Sequence, residues 1–191
     1  MGQEYFFVAP EGTIAAVKFS VEKLVKIIKL IYLVLRGDVS KEVNAVILDS
    51  NQRIIFSKRF RVESSAPAAP EWYEIDVNTN IIVEGDFYIG YQWAEPPCIS
   101  GRCGGWLAFE KIPPYHQRSY LGWEGNLYYK GNGTEEEQKE DYVIRVLVRV
   151  KQASSISISV YPSSTRVGES VTISGSISPA PGASSQVTLT I

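Results

Sequence analysis

The stretch Val21–Gly37, "VEKLVKIIKLIYLVLRG", decides the fold class, because it supports two incompatible readings. Apolar residues at 24, 25, 27, 28, 31 and 35, closed by Gly37 as a possible C-cap, fit an amphipathic helix. The surroundings favour a strand. "AAVKFSV" before it, and "NAVILDS", "RIIFSKRFRV", "WYEIDV", "DFYIGYQW" and "YVIRVLVRV" after it, are short runs of β-branched and aromatic residues. Turn-formers such as "APEG", "RGD", "DSNQ", "SSAPAAP" and "VEGD" separate them. A lone helix early in such a series is uncommon, so residues 22–36 are read as a strand that follows a turn. Residues 1–152 then form an all-β, antiparallel β-sandwich.

The composition changes at Gln152. The remainder contains only Arg166 and Glu169 as charges and is dominated by Ser and Thr. Ile156, Ile158 and Val160, then Val171 and Ile173, then Val187, Leu189 and Ile191 alternate with hydroxyl residues, which is the period of half-buried strands. "PAPGASS" reads as a turn between two of them. Residues 153–191 are therefore a second β module. The run "VYPSSTRVGESVTISGSISP" resembles the opening strands of prokaryotic immunoglobulin-like domains, which implies about half of such a module. Half a sandwich leaves an open edge and an apolar face, and that allows strand pairing between copies through residues 153–191.

Several function classes are excluded. A net charge of −2 offers no general attraction to a polyanion, and Lys23, Lys26, Lys29 and Arg36 are spread among aliphatic residues, so no nucleic acid partner is expected. "MGQEYFF" lacks the charged head and apolar run of a secretory signal. The longest apolar run, "LVKIIKLIYLVL", carries two lysines and is far short of the ~20 residues that span a bilayer, so no membrane insertion is expected. With His116 the single histidine, a histidine metal cluster cannot form, and no HExxH, GxSxG or phosphate-loop motif occurs. Glu95, Glu110 and Glu124 are the carboxylates that a glycoside hydrolase would need. The acidic run Gly133–Asp141 lacks the alternation of a calcium loop, and Asn132 heads a glycosylation sequon. The chain is read as non-enzymatic, with no cofactor and no metal.

The stretch Trp93–Trp106, "WAEPPCISGRCGGW", holds both cysteines. No second pair exists to complete a zinc site, and the spacing is not that of a redox CxxC. Cys98 and Cys103 are read as a small disulfide loop in an oxidising compartment. Half of the aromatic residues of the chain lie between Phe87 and Tyr129, interleaved with Gly and Pro. Those before Trp93 sit on an alternating strand, whereas those after it fall in what reads as a long loop. Trp93, Trp106, Tyr115, Arg118, Tyr120 and Trp123 are the candidate ligand-binding residues, since rigidly held aromatic rings stack on sugars or anchor proteins.

The order of elements also carries a resemblance. Ala16 to Phe19, Lys26 to Gly37, Val46 to Asp49, Trp72 to Val77, Val83 to Gly90, Arg118 to Tyr120 and Tyr142 to Val146 follow one another as in a jelly-roll module appended to secreted and surface proteins of prokaryotes. The resemblance implies an extracellular or cell-surface accessory sandwich with no catalytic role. This chain departs from the pattern in the insert between Trp93 and Arg118. The expected function is a binding module for carbohydrate or a surface protein. The alternative is a stalk or fibre subunit assembled by strand pairing.

Overall fold

The computed structural model describes residues 4–96, 104–111, 118–130, 141–150, 155–161 and 172–178. Among these residues the chain is β throughout, with no α-helix. It divides into two compact units, Met1–Val150 and Lys151–Ile191. The strands of the first are β1 (Glu4–Phe7), β2 (Ile14–Arg36), β3 (Lys41–Leu48), β4 (Ile54–Val62), β5 (Ala69–Asp76), β6 (Ile82–Trp93), β7 (Trp106–Glu110), β8 (Ser119–Trp123), β9 (Asn126–Tyr129), β10 (Asp141–Tyr142) and β11 (Ile144–Val150). All pairings are antiparallel and join these strands into one sheet.

The ambiguous stretch is a strand, and it is longer than the sequence implies. No turn separates it from "AAVKFSV": both belong to the 23-residue β2. The irregularity lies between Val21 and Val25, which pair with Gly85 and Val83 of β6, so three residues of β2 stand opposite one. Glu22, Lys23 and Leu24 are exposed there, and Gly85 has φ 72°. "VEGD", read as a turn, is instead a bend inside β6. The two ends of β2 thus serve different parts of the sheet. Its first part pairs with β6 and β8, and its second with β5 and β11.

The helix-like spacing has a physical origin. A second bulge leaves Ile28 unpaired between Ile27 and Lys29, so Ile27 and Leu30 both enter the core three positions apart. Further on, both faces of β2 are covered. Leu30, Tyr32 and Val34 face the main core, while Leu33 packs with Ala108, Val143 and Phe6 on the other side. An apolar run covered on both faces loses the period-two signature.

The bend lets the sheet close on itself as a sandwich. Tyr32, from the second part of β2, packs its ring 5.9 Å from Phe60 of β4 and edge-on, at 5.7 Å, to Tyr91 of β6. Its hydroxyl donates to Gly90 O across the layers at 3.0 Å. Val43, Ala45 and Ile47 of β3 and Phe87, Ile89, Tyr91 and Trp93 of β6 reach this core at alternate positions. The other face of β6 and β3 carries a smaller cluster of Ile14, Ala16, Val46, Leu48, Tyr88 and Leu127.

The region read as a long loop between Trp93 and Trp123 contains β7 and β8. β7 pairs with β1, β2 and β10 and buries Leu107, Ala108 and Phe109. In the second unit, β12 (Ser155–Tyr161) pairs with β13 (Thr172–Ser178), with Ile156 opposite Ile177 and Val160 opposite Ile173. Ser159 Oγ lies 2.8 Å from Ser174 Oγ on that ladder.

Candidate functional site

β8 and β9 form a hairpin around Glu124–Gly125, with Trp123 opposite Asn126 and Tyr120 opposite Tyr129. β8 is hydrogen-bonded to the start of β2, Gly122 opposite Ile14 and Tyr120 opposite Ala16. One face of the hairpin, with Tyr120 and Leu127, covers the outer cluster. The turn between β3 and β4 holds it there. The Gln52 side chain accepts from Leu127 N at 2.6 Å and donates to Leu127 O at 3.2 Å, as a neighbouring strand would. Gly125 N donates to Gln52 O at 2.9 Å, and the Glu124 carboxylate accepts from Ile54 N at 2.9 Å. Gly122 is obligatory, because at φ 150° any Cβ would overlap Asn126 O.

The other face of the hairpin carries Leu121, Trp123 and Tyr128. They stand against Val8, Ala9, Pro10 and Thr13 and enclose a cleft of about 230 Å³. The opposite wall is a tight turn in which Thr13 N donates to Pro10 O at 3.1 Å and Gly12 takes φ 81°, the left-handed third position of a type II turn. Gly12 N donates to Trp93 O at 2.8 Å and Trp93 N to Thr13 O at 3.2 Å, which fastens the turn to the end of β6. Trp123 and Tyr128 remain 54% and 48% exposed, whereas Thr13 is 4% exposed and its hydroxyl has no hydrogen-bond partner. Among the described residues the lining includes no charged side chain.

The residues singled out from sequence scatter around this cleft. Trp93 is a correction: it is 3% exposed, donates its indole N–H to Gly105 O at 2.9 Å and packs edge-on to Tyr91 at 5.1 Å. Its position on the inward row of a central strand makes it core. Trp106 is half-buried and borders a crevice of about 10 Å³ with Lys41, Glu95 and Gly104, enough for about one water. Tyr120 is half-buried on the hairpin's inner face, edge-on to Tyr88 at 5.1 Å and 5.5 Å from Tyr129, and burial raises its pKa. Arg118 is exposed and borders a separate depression with Phe19, Asp141 and Tyr142. Of these candidates, among the described residues only Trp123 reaches the cleft. Tyr115, His116, Cys98 and Cys103, and with them the proposed disulfide, lie outside the described residues, as do Asn132 and residues 133–140.

Sequence reasoning missed Pro10, Thr13 and Tyr128. The signal for Tyr128 was available: "SYLGW" and "NLYY" around a two-residue "EG" are a hairpin, which places Leu121 and Tyr128 side by side. The three glutamates have separate surroundings. Glu124 holds Ile54 N, Glu95 lies 3.6 Å from Lys41, and Glu110 stands at the pairing position of β10. Among the described residues no group of three or more His, Cys, Asp or Glu is placed to hold a metal ion. One charged cluster lies on the outer face beside Tyr88: Lys18 Nζ is 2.6 Å from Asp86, which also accepts from Ser20 Oγ. The hydrogen bond raises the Lys18 pKa and lowers that of Asp86.

Comparison of the chain with protein-family models, with curated proteins and with solved structures gives no match.

Proposed function

We propose that the protein is a non-catalytic recognition module, of the jelly-roll-like accessory kind, that binds carbohydrate outside the cell through the Trp123 cleft. One observation carries the reading. Two large aromatic side chains, Trp123 and Tyr128, stay about half exposed on a hairpin that is tied by four hydrogen bonds to the β3–β4 region, and they face an apolar cleft. Exposed aromatics on a rigid support give contact area at little entropic cost, and such rings are where ligands stack. Arg118, Tyr120, Trp106 and Tyr115 are not needed for this reading.

The test is a titration of tryptophan fluorescence in the full chain with soluble polysaccharides. A saturable shift is expected, lost in Trp123→Ala and retained in Trp106→Ala. No shift with any glycan overturns the proposal.

A second reading, a stalk or fibre subunit, has its own support. Among the described residues β12 and β13 pair only with each other, and an isolated two-stranded sheet is marginal in water. It expects a concentration-dependent oligomer that dissociates when residues 153–191 are removed. A monomer at every concentration in analytical ultracentrifugation eliminates it.

A further inference from the structure

From the lining of the cleft we infer that its ligand is a neutral hexose unit that presents its exocyclic hydroxymethyl group to Thr13; the inference rests on the recognition reading above and names its substrate class.

The first observation is charge. The cleft is walled by Val8, Ala9, Pro10, Leu121, Trp123 and Tyr128, and among the described lining residues no charged side chain offsets the hydration that a charged group would lose there. Acidic and amino sugars do not fit. The second is size. About 230 Å³ is smaller than the ~300–1,000 Å³ of sites that enclose a whole small ligand. One ring or its appendage enters while the rest of a polymer stays on the surface.

The third is Thr13. A buried hydroxyl without a partner is costly, and native folds hold few of them. The backbone of Thr13 is pinned, its N–H to Pro10 O and its carbonyl to Trp93 N. Its remaining freedom is rotation about χ1 between staggered wells. Turning towards the cleft is therefore how the hydroxyl gains a partner, and that partner must arrive from the cleft. A primary alcohol on a CH₂ group meets both demands: the methylene contacts the apolar wall and the hydroxyl pairs with Thr13 Oγ1. The ring that bears it then lies on Trp123. A pentose lacks this carbon, and a prolyl ring of a peptide would fill the wall but leave Thr13 unpartnered.

The test compares a soluble glucan with free hydroxymethyl groups, a soluble xylan and a proline-rich peptide, each titrated into the full chain and into Thr13→Val and Thr13→Ser. The parent should bind glucan about tenfold more tightly than xylan, the worth of about one hydrogen bond. Thr13→Val should lose about that tenfold for glucan and nothing for xylan, while its melting temperature is unchanged or higher, since a methyl replaces an unpartnered hydroxyl. Thr13→Ser should keep the preference for glucan. Equal binding of glucan and xylan, equal glucan affinity in parent and Thr13→Val, or a lower melting temperature in Thr13→Val overturns the assignment of Thr13 and leaves the recognition reading standing. Binding of no glycan, or binding of the proline-rich peptide alone, overturns both.

Discussion

Trp93 and Trp123 each end a strand of the same sheet, yet one is sealed in the core and the other stands in solvent. Both occupy alternating rows of apolar residues, Phe87–Ile89–Tyr91–Trp93 on β6 and Leu121–Trp123 on β8. The difference lies in what faces each row. β6 is flanked by β2 and β3, and its inward row meets Tyr32 and Leu107 from the opposing part of the sheet. β8 has a short β9 as its outer neighbour, and among the described residues its row packs Leu121 against the margin of the main core and turns Trp123 to the cleft beside the segment Val8–Thr13. Such a row becomes a core where a second layer covers it and an exposed cleft where that layer runs out.

The largest effect expected from this contrast is in the pair Trp93→Ala and Trp123→Ala. The first removes a buried indole and its hydrogen bond to Gly105 O, and should cost about 3–5 kcal/mol in denaturant unfolding. The second removes a half-exposed ring and should cost no more than about 0.5 kcal/mol while abolishing the glycan response. Similar losses in both would erase the distinction between core and cleft.

Gly122→Ala sharpens it at the backbone. The new Cβ meets Asn126 O at φ 150°, so the hairpin must shift, with an expected loss of about 1–3 kcal/mol and a changed Trp123 emission. Wild-type stability and emission would show that the hairpin is more plastic than its ties suggest.

Gln52→Ala isolates those ties. Two hydrogen bonds to Leu127 disappear, worth about 1–2 kcal/mol together, and the Leu127 amide should exchange faster while core amides such as that of Ile89 do not. Uniform acceleration would mean that the hairpin and core open as one unit.

The smallest effect concerns Lys18 and Asp86. The pKa of Asp86 is depressed by its bond to Lys18, so the stabilisation is present above the unfolded carboxylate value, about pH 4, and is lost as pH falls through the lower folded value. The Lys18 value is raised, so its share persists below the unfolded lysine value and is lost as pH rises through the folded one. With side chains 32% and 43% exposed, the pair is screened and its contribution is small. Asp86→Asn should flatten the acid limb of the stability profile slightly and leave Trp123 emission unchanged.

Most strands were legible because β-branched and aromatic runs between turn-formers report backbone preference directly. "RIIFSKRFRV" and "YVIRVLVRV" became β4 and β11 nearly to the residue. Less legible were β7 and β8, hidden in a Gly- and Pro-rich region, and the bend in β2, where exposed Glu22–Leu24 look like a turn. For the site, Trp123 was visible as an aromatic in a Gly-rich stretch, while Pro10 was legible only as part of the turn-former "APEG" and Thr13 carried no signal. They matter only because the chain brings a turn near its start against a hairpin more than a hundred residues later.

What the sequence determined by itself is that the chain is β, that its character changes after Gln152, and which side chains share a face within each strand. Periodicity and local propensity encode those properties. The tertiary structure alone decided which face is covered, where β2 passes from one layer to the other, and that Gln52 stands in for a strand beside Leu127. These depend on contacts between residues far apart in the chain, and an alternating strand specifies two faces without saying what will be laid against either.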